Sequence, residues 1–249
     1  MNNVIQQMLN RTSVRSFTGE TVKEADLELI FKAAQQAPTS IGAQQVSLVY
    51  TRDKAKIQKI AEIAGGQPQV ATADVFITIV IDFNRTQEAC ALQNKQQLIH
   101  AAAEGLLVGA GDAGIMLNAL QTAANALGYG STAIGGIRNN PQAMIELLGL
   151  PEKTYPIFGI TLGVPDATKV AQVKPRVPLA SFAMPETYNA QAVKQGVATY
   201  DQTLRQWWDQ QGLSNMPGYS AQTAQFYQMV YFPTVAKTLL KQGFNLKDE

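Results

Sequence analysis

The sequence predicts an α+β fold, in which helices and strands are mixed without a regular βαβ repeat. Two continuous apolar runs, Val75 to Ile81 and Tyr155 to Gly163, are typical of buried strands, and Val46 to Thr51 is predicted as a third strand. With 249 residues, of which 46% are hydrophobic and 16% charged, the chain suits a single domain over 1–249.

Composition excludes several kinds of partner. The formal net charge is +1 with both signs interspersed, so neither a nucleic-acid nor a membrane partner is expected. The single cysteine, Cys90, cannot form an intrachain disulfide, and no basic-then-apolar leader precedes the first polar turn, so a cytoplasmic location is expected. The apolar stretch Leu98 to Leu127 contains His100, Glu104 and Asp112, and it therefore predicts a buried helix rather than a membrane span.

The residue types also disfavour catalysis by side chains. One histidine and one cysteine are too few for a Cys/His metal site, so no metal is expected. A Ser-His-Asp hydrolase would depend on His100, which lies inside the predicted long helix, and the sequence has no nucleophile elbow. We interpret His100 as structural and expect a bound cofactor to carry the chemistry.

The N-terminal half begins with a short amphipathic segment whose apolar residues are Val4, Ile5, Met8 and Leu9. Thr21 and Glu24 have the spacing of a capping box for a helix that ends before Pro38. A further helix is predicted from Asp53 to Ala64, and the two glycines that follow close it.

The long helix ends at Gly128 and is followed by a short strand or turn, Ala133 to Ile137. Asn140 is placed to cap a helix whose first residue is Pro141 and which stops at Gly149.

Proline-rich sequence over 164–188 predicts an extended arm rather than a helix or strand. Two more helices are predicted, Ala190 to Gln211 and Ala221 to Lys241. Together they make about 190–249 a helical excursion and C-terminal extension.

The segment Gly109-Ala-Gly111-Asp-Ala-Gly114 has the spacing of a dinucleotide-binding fingerprint. That motif requires a strand before it and a helix that opens at its glycines, whereas these glycines lie inside the predicted long helix. We interpret them as small residues that permit close approach to a neighbouring helix or a second subunit.

The run Arg11-Thr12-Ser13-Val14-Arg15 follows the first segment. In an extended chain side chains alternate, so Arg11, Ser13 and Arg15 would project to one side. Two guanidinium groups and a hydroxyl suit a phosphate monoester, because charge-assisted hydrogen bonds are the strong ones. The alternative is a solvated surface.

Lys174-Pro175-Arg176 lies in the proline-rich arm, where Pro175 restricts the backbone between the two cations. A fixed cation beside an isoalloxazine would stabilise the negative charge that develops on the reduced ring. The alternative is a basic surface linker.

Three loops carry groups that could meet a heterocycle. Thr39 to Gln44 is rich in hydrogen-bonding groups, while Gly65-Gly66-Gln67 and Ile134-Gly135-Gly136 let backbone N–H groups approach a ligand closely.

Taken together, these segments resemble the nitroreductase family, in the branch of NADPH-linked flavin reductases and oxygen-insensitive nitroreductases. The matching motifs occur in the family's order and span residues 11 to about 200. They are Arg11-Thr-Ser-Val-Arg15 followed by Phe17, Gly66-Gln67, Asp82-Phe-Asn-Arg85, Ile134-Gly-Gly-Ile-Arg138-Asn-Asn140, Pro156-Ile-Phe-Gly159 leading to Leu162-Gly163, and Lys174-Pro-Arg176-Val-Pro178.

The resemblance implies a sandwich with a central mixed, mainly antiparallel sheet flanked by helices, in an intertwined homodimer with FMN at its interface. The C-terminal extension would pack on the partner. The phosphate, ribityl chain and ring edge of FMN would contact Arg11, Thr12, Ser13, Arg15, Lys174 and Arg176. Hydrogen bonds to the ring would come from Thr39 and Gln67, and backbone contacts from Ile134, Gly135 and Gly136.

The implied activity is a ping-pong hydride transfer. NADPH or NADH would give a hydride to the flavin N5, and a nitroaromatic, quinone, azo or free-flavin acceptor would then take it. No side chain needs to act as nucleophile or base, and Lys174 would tune the reduced flavin.

Two features depart from the family pattern. Arg11-Thr12 stands where the branch usually has a His-Arg pair, and the loop 211–220 contains no cation, although arginines there can pair with the NADPH 2′-phosphate. The preference between NADPH and NADH is therefore open. Two alternatives to the enzyme are an FMN-binding or flavin-delivery module without efficient nicotinamide turnover, and a protein without flavin.

Overall fold

The computed structural model describes residues 2–169 and 171–248, and the chain divides into two compact units. The first unit takes the chain up to Ala171 and again from Phe232 onward, while the second is Gln172–Tyr231. All four strands belong to the first unit, and the second unit is helical.

The predicted strands and most of the predicted helices are present. The helices are α1 (Asn3–Leu9), α2 (Glu24–Ala34), α3 (Lys54–Ile63), α4 (Pro68–Ala71), α5 (Asn84–Leu92), α6 (Ala103–Ala126), α7 (Pro141–Leu148), α8 (Ala190–Gln210), α9 (Tyr219–Tyr227) and α10 (Val235–Lys241). The strands are β1 (Val46–Thr51), β2 (Val75–Asp82), β3 (Gly130–Ile134) and β4 (Thr154–Gly163).

The sheet has the strand order β1-β2-β4-β3, and each of these three pairings is antiparallel. In register, Val46 faces Ile81 and Val75 faces Leu162, with a bulge between Ile79 and Val80. The predicted α+β class is confirmed.

Side chains of β2 alternate between two cores, as the period of a strand requires. On one side Val75, Ile77 and Ile79 are buried with apolar residues of α2 and α6. On the other side Phe76 is buried with residues of α3 and α7. The sheet is therefore covered by helices on both faces.

The glycines of α6 lie inside a helix, as predicted, but their neighbours differ from those expected. A Cβ at Gly109 would lie 2.6 Å from the Ile81 side chain, so this glycine lets α6 approach strand β2 rather than another helix. At Gly111 and Gly114 a Cβ would meet no described atom within 4 Å. These two glycines leave a surface open on α6.

The predicted capping box of α2 is wrong. The residue before the helix is Lys23, which makes no side-chain cap. Its backbone N–H instead donates to the Tyr129 hydroxyl at 3.2 Å, while Glu24 pairs with Arg52 at 3.2 Å. Tertiary partners thus replace the local cap.

Other boundaries also differ from the sequence prediction. The segment predicted as one helix over Ala221 to Lys241 is two, because Pro233 lies between α9 and α10. The third strand is Gly130–Ile134 rather than Ala133 to Ile137. His100 lies in a short 3₁₀ turn before α6, not within the long helix.

The C-terminal segment packs within its own chain. Phe244 is buried beside Phe83 and Tyr155, and the Gln242 side chain donates to the carbonyls of Pro151 and Thr154 at 2.8 and 2.9 Å. Packing of this extension on a second subunit stays a prediction. Among the described helices, none combines the length and apolar character needed to cross a membrane.

Candidate functional site

The run Arg11 to Arg15, which is predicted to bind phosphate, lies beside strand β3. The Val14 N–H donates to the Ser131 carbonyl at 3.0 Å, and Thr132 Oγ1 donates to the Val14 carbonyl at 2.5 Å. A Cβ at Gly130 would lie 2.6 Å from Val14 Cγ1, so the Val14 side chain packs directly on the strand backbone.

Val14 faces the strand, and an alternating backbone would turn its neighbours Ser13 and Arg15 away from it. Arg15 is exposed and Ser13 is half-buried. Thr12 is two residues from Val14, so an alternating backbone would turn both toward the same side. Arg11 is exposed and also borders a cleft of about 200 Å³ between α1 and α6. The grouping of Arg11, Ser13 and Arg15 on one side of the run stays a prediction.

Two of the predicted ring-binding loops meet in space. A Cβ at Gly136 would lie 2.6 Å from both the Ala64 carbonyl oxygen and Gln67 Nε2. Only glycine fits there, since real Cβ atoms do not approach other atoms so closely. The turn that contains Gln67 therefore packs directly on the backbone of Gly136.

The amide of Gln67 is oriented by its own loop. Its Nε2 donates to the Ala64 carbonyl at 2.9 Å, and its Oε1 accepts from Gln69 Nε2 at 2.6 Å. Each polar atom keeps a further hydrogen-bonding position, because an amide has two N–H groups and two oxygen lone pairs. Gln67 thus retains hydrogen-bonding capacity beyond these two contacts.

Arg138 lies beside the backbone of Gly135 and Gly136. Arg138 belongs to a family motif in the sequence, but no function was predicted for it. A Cβ at Gly135 would lie 3.2 Å from Arg138 Nη2. The Arg138 guanidinium donates to the Ile157 carbonyl at 2.5 Å and lies over the rings of Phe158 and Phe232, at 5.6 and 5.1 Å from their centres. A cation fixed in this way supports the Gly135-Gly136 backbone from one side.

Thr39 lies in a loop that is held by two charged residues, the buried Asp112 and the exposed Arg85. Thr39 Oγ1 accepts from the Gln44 N–H at 3.1 Å. The Asp112 carboxylate accepts from the Ser40 N–H, and Arg85 donates to the Gln44 carbonyl. The sequence offers no local signal for these roles of Asp112 and Arg85, because both depend on tertiary contacts.

In the second unit, the arm that contains Lys174 and Arg176 packs on α8. The Lys174 ammonium lies 5.0 Å from the centre of the Trp208 ring. The Tyr200 hydroxyl donates to the Pro175 carbonyl at 3.0 Å, and Arg176 Nη1 donates to the Lys174 carbonyl at 2.8 Å. Contacts to α8 thus fix the backbone of this basic arm.

The loop 211–220 is held by residues of α8. Arg205 Nη1 donates to the Met216 carbonyl at 2.8 Å. Asp201 Oδ1 accepts from the backbone N–H and hydroxyl of Ser220 at 2.7 and 2.9 Å, and these hydrogen bonds lower the pKa of Asp201. The Arg205 guanidinium therefore stabilises the conformation of this loop.

The environment of His100 agrees with a structural role. Burial lowers the pKa of His100, and the charge of Lys153 adds to this effect. Its Nδ1 lies 3.4 Å from Gln97 Nε2. In the described part of the chain, no three His, Cys, Asp or Glu side chains are grouped to hold a metal ion.

These features fit a phosphorylated flavin. The exposed face of the Arg11 to Arg15 run offers cations and a hydroxyl to a phosphate, as the chemistry of that group requires. The contact between Gly136 and Gln67 offers bare backbone and an oriented amide to a ring. The fold is that of an α+β sandwich with helices on both faces of an antiparallel sheet, and these residues form its candidate flavin site.

Comparison with known proteins identifies the family. Residues 8–164 match the profile of the nitroreductase family, and residues 174–247 match the profile described as the C-terminal domain of that family. The chain belongs to the nitroreductase family.

Individual relatives cover the whole chain. An FMN reductase [NAD(P)H] of Bacillus subtilis (strain 168) is 38% identical over 99% of this chain and 100% of its own. The solved structure of NfrA2 from B. megaterium has a TM-score of 0.95 at 35% identity and covers 100% of both chains. The NADPH:FMN oxidoreductase from Vibrio harveyi, solved in complex with NAD+, has a TM-score of 0.86 at 29% identity, covering 99% of this chain and 100% of its own.

Proposed function

We propose that this protein is an FMN-dependent NAD(P)H oxidoreductase that reduces small flat acceptors by a ping-pong scheme. The observation that carries the proposal is the contact between Gly136 and Gln67, which leaves backbone and an oriented amide for a ring and no space for a Cβ. The activities of the relatives, an FMN reductase and an NADPH:FMN oxidoreductase, support the enzyme class and the cofactor.

Bound FMN would supply the hydride chemistry that links a reduced nicotinamide to an electron acceptor. The chain's own residues bind and orient the cofactor. We assign the phosphate and ribityl contacts to Arg11, Thr12, Ser13 and Arg15. The ring contacts are assigned to Thr39, Gln67, Ile134, Gly135 and Gly136.

Lys174 and Arg176 keep the role that the family resemblance implies. They would neutralise negative charge on the cofactor, and Lys174 would stabilise the charge on the reduced ring. The packing of the arm on α8 supports this role, because a cation on a fixed backbone needs little reorganisation during reaction.

A homodimer is part of the proposal. Val4 and Leu9 of α1 are 52% and 60% exposed, and Leu107 and Ile115 of α6 are 67% and 43% exposed. Apolar residues grouped on two neighbouring helices are typical of a protein interface, so a second copy of the chain is the partner that we infer.

Both nicotinamides are proposed as donors. The loop 211–220 contains no cation for a 2′-phosphate, and Arg205 is engaged with the Met216 carbonyl. We therefore expect kcat/KM for NADH to be at least comparable with that for NADPH. The proposed acceptors are nitroaromatics, quinones, azo compounds and free flavins, and the proposed setting is the cytoplasm, where the lone Cys90 stays reduced.

The test is anaerobic spectroscopy of the purified protein. We expect a yellow protein that bleaches on addition of NADH or NADPH and becomes yellow again when a quinone is added. Persistent yellow colour with both donors would contradict the enzyme and favour an FMN-binding or flavin-delivery module. A colourless protein that takes up no added FMN would contradict flavin binding altogether.

A further inference from the structure

The loop between α2 and β1 has an unusual backbone. In this 39–45 loop, Ile41 has φ 49° and Gln44 has φ 55°. A positive φ is strained for a β-branched residue, and strained residues cluster at functional sites. The Ile41 side chain is 98% exposed, so no burial within its own chain compensates for the strain. Other contacts must hold the loop in this shape.

Asp112 holds the loop from beneath. This carboxylate is 7% exposed and lies in the middle of the 24-residue helix α6. It accepts from the Ser40 N–H at 3.1 Å and from Gln45 Nε2 at 2.6 Å. Both donors are neutral, and they belong to residues on either side of Ile41.

Arg85 holds the far end of the same loop. Its Nη1 donates to the carbonyl of Gln44 and, at 3.2 Å, to that of Val46. Its Nη2 donates to Ser47 Oγ at 3.1 Å. A carboxylate therefore binds N–H groups of the loop, while a guanidinium binds the Gln44 carbonyl of the loop and the first residues of β1.

We propose that Asp112 and Arg85 are positioning residues for the flavin site. They keep the 39–45 loop in its strained shape, so that Thr39 meets the ring edge and Ile41 presents an apolar surface to the flat acceptor. The inference rests on the proposed function, because it assigns the loop to the flavin ring. Neither Asp112 nor Arg85 contacts the cofactor in this proposal.

The first test is Asp112→Asn in the FMN-loaded enzyme, with Glu88→Gln as the matched exposed control. An amide keeps the shape but turns an N–H toward one of the two donors, so one contact is lost. We expect unchanged FMN content, shifted visible absorption bands of the flavin, and kcat/KM for a quinone about tenfold lower, carried mainly by a higher KM. A merely structural role would lower the melting temperature without moving the flavin bands.

A second variant, Ile41→Gly, keeps the test decisive if Asp112→Asn does not fold. Glycine accepts a positive φ without strain, so folding is retained, but the apolar side chain is gone. We expect the same loss of kcat/KM for the quinone with FMN still bound. Unchanged flavin bands and kcat/KM in a folded Asp112→Asn, or an unchanged kcat/KM in Ile41→Gly, would overturn the inference. A wild-type protein without FMN or turnover would instead count against the proposed function.

Discussion

At the scale of single residues, Gly136 has no room for a side chain. Gly136→Ala would place a methyl group 2.6 Å from the Ala64 carbonyl oxygen, which is backbone and cannot move aside cheaply. We expect the substitution to lower the free energy of unfolding by about 1–3 kcal/mol and to weaken FMN binding. Urea unfolding and FMN titration measure these two effects.

Gly135→Ala is the graded control, because its nearest neighbour at 3.2 Å is the end of the Arg138 side chain. It should cost less than Gly136→Ala in both measurements. Equal losses for the two variants would show that the close packing of Gly136 on the Gln67 turn is not the cause.

Arg15 tests the position of the phosphate. Arg15→Ala removes a charge-assisted partner, and such hydrogen bonds contribute on the order of 1.5–3 kcal/mol. We expect the FMN dissociation constant to rise by about one to two orders of magnitude. Lys59→Ala, which removes an exposed cation from α3, should leave it unchanged. Equal dissociation constants for Arg15→Ala and wild type would show that the phosphate binds elsewhere.

Tyr155 produces a pH dependence of stability. Its hydroxyl is buried without a hydrogen-bond partner among the described residues, and burial raises its pKa to about 12 against the opposing charge of Arg138. The folded state therefore resists ionisation, and this contribution is complete below pH 10 and is lost as pH rises toward 12. We expect on the order of 2–3 kcal/mol of unfolding free energy to disappear over that range.

Tyr155→Phe should remove this part of the pH dependence and leave the contribution of the other tyrosines. It should also raise stability at neutral pH by about 1 kcal/mol, since it deletes an unsatisfied buried hydroxyl. Identical profiles for variant and wild type would contradict the account of Tyr155.

At the scale of elements, the start of α2 depends on Asp74 rather than on a capping box. Asp74 Oδ2 accepts from the Val22 N–H at 2.9 Å and from Arg52 Nη1 at 2.7 Å, and its side chain is 12% exposed. Asp74→Asn should therefore lower the unfolding free energy by about 2–3 kcal/mol. Thr21→Ala should change it by less than about 0.5 kcal/mol. A larger decrease in unfolding free energy for Thr21→Ala than for Asp74→Asn would support the capping box instead.

Elements with strong local signals could be predicted from the sequence. Helix α7 begins at Asn140, whose side chain accepts from the Ala143 N–H, and it ends at Gly149 with φ 63°, as its residue types indicate. Helix α5 was missed because none of its residues is buried, so it has no apolar periodicity to detect. Tertiary bonds, such as that from Asn84 to the Glu152 carbonyl, hold it instead.

At the scale of the whole molecule, the open surface of α6 tests the proposed dimer. Gly111 lies one helical turn from both Leu107 and Ile115, which are exposed, and a Cβ there would meet no described atom. Gly111→Leu should therefore be tolerated in one subunit but should block a second. We expect a monomer in sedimentation equilibrium where the wild type is a dimer.

Lys59→Leu adds an exposed leucine on α3 and serves as the control, since it should leave the dimer intact. Dimers of wild-type affinity in Gly111→Leu would exclude this face of α6 from the interface.

The site could be predicted only in part, because sequence patterns report contacts between residues that are close in the chain but not tertiary contacts. Arg11, Ser13 and Arg15 are close in sequence, so the alternation of an extended chain relates them without knowledge of the fold. Gln67 and Gly136 are far apart in sequence, and only the family resemblance linked them. Asp112 and Arg85 act through the loop between α2 and β1, and no periodicity or spacing reports such contacts.

A crystal structure of the FMN-loaded protein tests the central claim most directly. We expect the phosphate within hydrogen-bonding distance of Arg15 and the ring against the Gly136 backbone and the Gln67 amide. A flavin bound away from both the Arg11 to Arg15 run and the Gly136 backbone would contradict the account.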